Sequence, residues 1–432
     1  MSIDVFFKEL KEEEVFYFCW KGIGKIDDFY EGKSDVDLYI PPSEAILFKK
    51  ILKRNGFVAF YWPLGVTGVE HFYKIGPKGE SYHLHAYFKL RTGSSLSKEF
   101  ELKLINLDNN SIFEYKNIKT LNRDWMNAIH YKRLYLKKSS ILGRAFLKYK
   151  KPVYDVEEGL LGSVKVHKLI KVKKIVNHPF WLDLKLLILI KYRRLCKLSK
   201  RPSSGVVVSI VGPDGSGKST ISQVIQNKYS QNFSITQLSF GKPSPRLNTF
   251  LFWLLRSVAI TIKHTFKKNK DSSGKKNSDK KHSLLEAIFY IFLAIERRSI
   301  INKSHKLASK GVMVILDRCP PKKNAGFDGY HLSNSKSDFF LFHMLKKIET
   351  EIYDSINPVD IAFVLNPTLH QVIERNRNRK KKFKETDIEI KERFKIFSNF
   401  QPKSIYLLDL SSELSPSDNA SLVMKKIFEK II

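Results

Sequence analysis

Cysteine is scarce in this chain. The three present, Cys19, Cys196 and Cys319, lie far apart, and no C-x-x-C pair occurs. That excludes a disulfide framework and a zinc knuckle. No uncharged apolar run approaches the roughly 20 residues a membrane-spanning helix needs. The opening MSIDVFFKELKEEEVF is acidic and has no long apolar centre, so it does not read as a signal peptide and a cytoplasmic location is expected. No internal repeat is visible. Acidic residues are few beside basic ones, 43 Asp and Glu against 76 Lys and Arg, which leaves a formal net charge of +33. Such an excess favours anionic partners: nucleic acid, phosphorylated glycans or an acidic membrane surface. Few aromatics interleave the lysine runs, so nucleic acid is the least favoured of these.

A chain of 432 residues exceeds one ordinary core. Residues 1–105 alternate strand-like runs (EVFYFCW, DVDLYI, YHLHAYFKL) with a helical stretch, an α+β pattern. Residues 106–204 are basic and read as a mostly helical connector, ending in the linker-like KRPSSG, Lys200–Gly205. Across 205–432 strands alternate with helices, which predicts an α/β domain with a parallel sheet covered on both faces. Within it Lys267–His282, Lys-rich and nearly free of apolar side chains, reads as a loop.

The strongest signal is VVVSIVGPDGSGKST. It matches G-x-x-x-x-G-K-[ST] through Gly212, Gly217, Lys218 and Ser219, between a β-branched strand and a helix. Glycines let backbone N–H groups turn inward around phosphate oxygens at a helix N-terminus. The segment Gly212, Asp214, Gly215, Ser216, Gly217, Lys218, Ser219 and Thr220 is therefore the expected nucleotide cradle. Lys218 is expected to reach the β- and γ-phosphates and the Ser219 hydroxyl to ligate Mg²⁺.

A second buried strand, GVMVILDRCP, ends in Asp317 and Arg318, at the ligand edge of such a sheet. Asp317 suits Mg²⁺ or acceptor orientation, and Arg318 suits neutralising transferred charge. A third, IAFVLNPTLHQVIERNRNRK, leads into Arg375, Arg377 and Arg379, whose spacing of two keeps them off one helix face and suits a cap closing over phosphates from several sides.

Together these parts resemble the thymidylate kinase branch of the P-loop nucleoside monophosphate kinases over residues 205–432. They follow the family order: the P-loop, AIERRSIINKSHKLASKGVMVILDR, LNPTLHQVIERNRNR, then SIYLLDLSS and a closing amphipathic helix. The resemblance implies ATP and Mg²⁺ as cofactors, acceptor binding by Arg297 or Arg298, lid arginines at Arg375 and Arg377, and a dimer as one oligomeric option. The acceptor side departs from the family. Where an acidic-Pro stretch is usual the chain reads LSFGKPSP, and Asp-Arg is followed by CPPKKNAGFDGY.

Two further features bear on the acceptor. Arg246–Lys270 and Phe180–Lys197 join apolar helical stretches to lysines, which fits either helices buried between domains or an anionic membrane interface, peripheral at the inner face. In the front region, Trp20–Ile40 places Asp35 and Asp37 on one face of a strand after a Gly-bearing turn. This resembles the nucleotidyltransferase fold and implies a possible second metal site, although the later strand offers His83 and His85 where a third carboxylate is usual.

The sequence thus predicts a multidomain, ATP- and Mg²⁺-dependent phosphotransferase acting on a nucleoside monophosphate or related anionic acceptor. Two alternatives stay open: a kinase for a sugar, glycan or lipid-linked intermediate of envelope synthesis, and a nucleotide-gated protein that binds membrane or nucleic acid.

Overall fold

The computed structural model describes residues 2–61, 68–93, 98–138, 168–175, 179–195, 201–202, 205–241, 284–322, 329–333, 340–378 and 386–431. Arg246–Lys270, Lys267–His282, Cys196 and Arg379 lie outside them. The chain divides into two compact units: Met1–Ser203 with Gln231–Ser234 and Ser421–Ile432, and Ser204–Ser230 with Ile235–Ala420.

The first unit runs α1 (Ile3–Glu12), β1 (Phe18–Lys21), α2 (Ile26–Tyr30), β2 (Asp35–Tyr39), α3 (Ala45–Arg54), β3 (Val58–Tyr61), β4 (Val69–Ile75), β5 (Ser81–Tyr87), β6 (Leu90–Thr92), β7 (Phe100–Leu104), β8 (Ile112–Tyr115), β9 (Ile118–Leu121), α4 (Arg123–Lys138), β10 (Ile170–Lys174), α5 (Pro179–Leu195) and β11 (Arg201–Pro202). Its main sheet has eight strands in the order β11-β3-β4-β5-β2-β1-β9-β8, and a small sheet has the order β10-β7-β6. β2 pairs with β5, and β1 with β9, in parallel; the other neighbours in the main sheet are antiparallel.

Strand alternation sorts this sheet into two faces. Val36, Leu38, Leu84 and Ala86 meet Phe6, Phe7 and Leu10 of α1 and Phe48, Ile51 and Leu52 of α3. Each of those buried helix side chains contributes about 1.5–3 kcal/mol. The Ser2 hydroxyl caps α1 by accepting from the Asp4 N–H at 3.3 Å. On the opposite face Trp20 and Tyr87 join a second core with Trp125, Ala128 and Ile129 of α4. That face also carries Asp35, Asp37, His83 and His85, because they alternate with the core residues of β2 and β5.

Residues 106–204, expected as a mostly helical connector, contribute strands as well as helices. β8 and β9 extend the main sheet, and β10 pairs with β7. The latter pairing sets Lys173 opposite Glu101, one opposite-charge pair in a strand otherwise rich in lysine. Trp181, Ile188 and Tyr192 of α5 are 61–69% exposed, at helical spacing.

The second unit runs β12 (Val206–Val211), α6 (Lys218–Tyr229), β13 (Ile235–Leu238), α7 (Leu284–Ala308), β14 (Met313–Leu316), α8 (Phe340–Asp354), β15 (Val359–Leu365), α9 (Leu369–Arg377), α10 (Asp387–Ser398), β16 (Ser404–Leu410) and the start of α11 (Pro416–Ile431). The sheet order is β13-β14-β12-β15-β16, with every pair parallel. The helix expected to close this α/β domain is shared: from Ser421 on, α11 belongs to the first unit, where Phe428 stacks on Phe60 at 6.1 Å. β12 and β14 are buried at every position, which explains their β-branched and apolar runs, broken only by Ser209 in β12. β12 is central. The chain leaves it toward β13 and β14 on one side and returns to β15 and β16 on the other. The end of β12 is therefore the topological switch point, where open α/β sheets bind ligands.

Candidate functional site

The loop from Gly212 to Gly217 lies at this switch point. Its glycines are required for separate reasons. A Cβ on Gly212 would stand 2.6 Å from Ser216 Oγ and 3.1 Å from the Leu365 carbonyl oxygen, so the close approach of β15 forbids a side chain. Gly215 and Gly217 have φ of +95° and +102°, which disfavour any L side chain. Gly217 then caps α6 without a side chain, leaving the first N–H groups of the helix to face the cleft.

Lys218 begins α6 and turns back over the loop. Its Nζ donates to the carbonyl oxygens of Gly212 at 2.8 Å and Pro213 at 2.7 Å, and lies 4.0 Å from the Asp214 carboxylate. Asp214 also accepts from Arg318 at 3.3 Å and Arg393 at 3.0 Å. One carboxylate thus gathers three cations at the mouth of the loop. The cleft has a volume of about 480 Å³. Asp214, Lys218, Ser219, Thr220, Asp317, Arg318 and Arg375 line it, with Leu365, Leu414 and Pro416 giving an apolar patch.

Asp317 stands just beyond β14 and anchors the segment after β13. Ser239 Oγ donates to its Oδ2 at 2.9 Å, and the N–H groups of Phe240 and Gly241 donate to Oδ1 at 2.7 and 3.3 Å. Those three bonds use three of about four acceptor positions of a carboxylate. A Cβ on Gly241 would stand 2.5 Å from Arg318 Cδ, so the Arg318 side chain packs directly on this glycine. Arg297 of α7 is buried beneath the same segment. It donates to the Gly241 carbonyl at 3.2 Å and to Tyr353 Oη at 2.8 Å, and its guanidinium lies 5.4 Å from the Phe240 ring centre. Arg298 points elsewhere, exposed and donating to Ser355 Oγ at 3.4 Å.

The arginines after β15 also separate. Arg375 donates to the carbonyls of Ser216 and Ser412, both at 3.1 Å, and so ties α9 to the phosphate loop and to the turn after β16. Arg377 faces outward and pairs with Asp387 at 2.5 Å. The cation beside Asp214 from this part of the chain is Arg393 of α10, which sequence reasoning did not single out. A usable signal was present, since Thr386 and Glu389 form a capping box that starts a helix carrying Lys391, Arg393 and Lys395 after the lid arginines.

In the first unit, Asp35 and Asp37 do share a face, but their surroundings are not those of two open carboxylates. Lys21 Nζ lies 2.9 Å from Asp37, and His85 Nδ1 lies 3.0 Å from Asp37 and 3.4 Å from Asp35. Burial works to raise the Asp37 pKa, yet Lys21 and His85 outweigh it and hold the carboxyl well below its usual range. Cys19 and Cys319 are buried thiols, each pushed up to about 12 by burial, which leaves them unreactive.

No family model matches the chain. The uncharacterized ATP-binding protein YghR of Escherichia coli K12 is 24% identical over 159 residues, covering 35% of this chain and 60% of that protein. YghR of strain O6:H1 gives the same figures. The chain thus spans about 60% of the length of these curated relatives. Among solved structures, APE1195 has a TM-score of 0.27 and 15% identity, covering 54% of this chain and 99% of its own. The thymidylate kinase of Candida albicans has a TM-score of 0.30 and 15% identity, covering 52% and 92%. Among the described residues no helix is long and apolar enough to cross a membrane.

Proposed function

We propose that the chain is an ATP- and Mg²⁺-dependent phosphotransferase that moves the γ-phosphate to a nucleoside monophosphate or a related anionic acceptor. The observation that carries this is Lys218, whose ammonium rests on the carbonyls of its own glycine loop at the switch point of a parallel sheet. Phosphate oxygens offer that ammonium a charged partner in place of two neutral ones. The α6 N-terminus, Arg318 and Arg375 line the same cleft and suit the charge that develops in phosphoryl transfer. Leu365, Leu414 and Pro416 line the same cleft and would offer apolar contact to a purine ring.

The residues at hand fit Mg²⁺. Ser219 and Asp317 both line the cleft and supply only hard oxygen donors, and Asp317 keeps an acceptor position. When bound, the ion would neutralise charge on the phosphates. Arg297 stays the acceptor candidate, since it lies under the segment that Asp317 holds.

An acceptor screen with γ-labelled ATP tests the proposal. Label is expected on a phosphorylated or hydroxyl-bearing anion, with loss in Lys218→Ala. No acceptor-dependent transfer across nucleotides, sugars and lipid-linked glycans would overturn it. A membrane-bound glycan acceptor is the second reading, favoured by the exposed Trp181, Ile188 and Tyr192 on a helix that also carries Lys185 and Lys191. Co-sedimentation with anionic but not neutral vesicles supports it. Failure to sediment with either removes it.

A further inference from the structure

The first unit holds a group of three histidines outside the nucleotide cleft, and one of them, His85, is bonded to the acidic pair through one of its two ring nitrogens. β4 and β5 pair antiparallel with His71 opposite His85 and Tyr73 opposite His83. Alternation therefore puts all four rings on the sheet face that also bears Asp35 and Asp37. One nitrogen from each of His71, His83 and His85 lies within 4.8 Å of the other two.

The detail fits metal ligands. His71 Nδ1 and His83 Nε2 are 3.2 Å apart. Two imidazole nitrogens, each about 2.0–2.1 Å from a tetrahedral ion, would stand roughly 3.3 Å apart. The His83 ring is set by Tyr73, stacked on it at 4.0 Å with planes 8° apart. His85 meets Asp37 through Nδ1 at 3.0 Å, the carboxylate–histidine arrangement that orients a metal-binding imidazole and fixes its tautomer. Its other nitrogen, Nε2, is buried and has no hydrogen-bond partner among the described residues. A buried ring nitrogen without a partner is costly unless something outside the chain engages it.

We propose that His71, His83 and His85 bind one transition-metal dication of the zinc class, with Asp37 as a positioning residue for His85 and a fourth position left to an oxygen ligand. Three imidazoles select zinc-like ions over magnesium, which prefers carboxylate, carbonyl and water oxygens. The site is separate from the nucleotide cleft, and its readout is metal binding rather than phosphoryl transfer. Failure of either proposal is therefore visible without the other.

The test uses the full chain, stripped with chelator, dialysed, and titrated with Zn²⁺ and with Co²⁺. One equivalent is expected to bind, and the Co²⁺ form is expected to show visible absorption of a four-coordinate nitrogen site. His71→Gln and His83→Gln are each expected to abolish that spectrum. Asp37→Asn is expected to weaken binding about 10–100-fold while keeping it. If the histidine variants do not fold, X-ray absorption of the wild-type zinc form decides, with three imidazole shells expected. Absence of stoichiometric Zn²⁺ or Co²⁺ binding, equal preference for Mg²⁺, or an unchanged spectrum in folded histidine variants would each overturn the proposal.

Discussion

The Lys218 ammonium donates to the Gly212 carbonyl oxygen at 2.8 Å, six residues back along its own loop. This contact keeps the loop folded on itself, and in the proposed function a phosphate takes it over. Lys218→Ala is expected to lower the transfer rate about 10²–10³-fold, the range for removing one donor at developing charge. It is also expected to abolish the rise in melting temperature that ATP gives the wild type. At about 100 Kd of ligand that stabilisation is about 2.7 kcal/mol, large enough for calorimetry.

Gly217→Ala places a side chain at φ +102°. It should cost at least about 1 kcal/mol in the second unit, measured by denaturant unfolding, because a non-glycine residue there is strained. Gly212→Ala should cost more, since its Cβ meets the β15 backbone at 3.1 Å. Both are expected to weaken ATP binding by calorimetric titration.

Arg375 and Arg377 are two residues apart and should behave differently. Arg375→Ala frees one carbonyl of the phosphate loop and one of the turn after β16, and is expected to reduce turnover at least tenfold. Arg377→Ala removes an exposed ion pair worth about 0–1 kcal/mol and should leave turnover within about twofold. Arg393→Ala should fall between them, because it acts on Asp214 at the mouth of the loop. Steady-state kinetics on the three variants gives the ranking.

Asp317→Ala leaves Ser239, Phe240 and Gly241 without their acceptor. A loss of about 1–3 kcal/mol is expected, since these donors are partly buried and lose a charged acceptor. Asp317→Asn keeps an oxygen acceptor and should lose less. If the two variants unfold alike in urea, the carboxylate does not hold that segment.

What was readable in the sequence was local. The glycine loop, its lysine and the parallel strands are encoded by short spacing and by runs such as VVVSIV, whose burial on both faces needs no distant information. The split between Arg375 and Arg377 depends on where α10 returns, and Arg393 reaches Asp214 across 179 residues. No window around NRNRK contains that. The same holds in the first unit. Asp35 and Asp37 were legible from alternation, but the pairing of Asp37 with Lys21 depends on a register shift in β1 between Cys19 and Lys21. His71 joins His85 only through the β4–β5 register. Strands β9 and β10 were hidden because lysines stand among their few apolar residues, and β8, IFEY, is too short to show an alternation.

Lys74 gives a pH signature. It is buried over Phe57, and its Nζ has no hydrogen-bond partner among the described residues. Burial pushes its pKa down to about 8. The unfolded chain, with an ordinary lysine near 10.4, then binds more protons than the folded one between about pH 8 and pH 10.4. The contribution of Lys74 to stability should therefore rise with pH through that window and be flat below it. Lys74→Met should raise the urea midpoint at pH 7 and remove this part of the slope. An identical pH dependence in the two proteins would mean that Lys74 is not desolvated.

The central claim is that the loop around Lys218 holds the nucleotide whose γ-phosphate is transferred. The most direct measurement is a single-turnover assay of the intact chain with γ-labelled ATP, with and without Mg²⁺, across a panel of anionic acceptors and beside Lys218→Ala. The account predicts label on at least one acceptor, dependent on Mg²⁺ and transferred about 10²–10³-fold more slowly in the variant. Transfer at the wild-type rate in a folded Lys218→Ala protein, or tight ATP binding with no acceptor labelled, would contradict it.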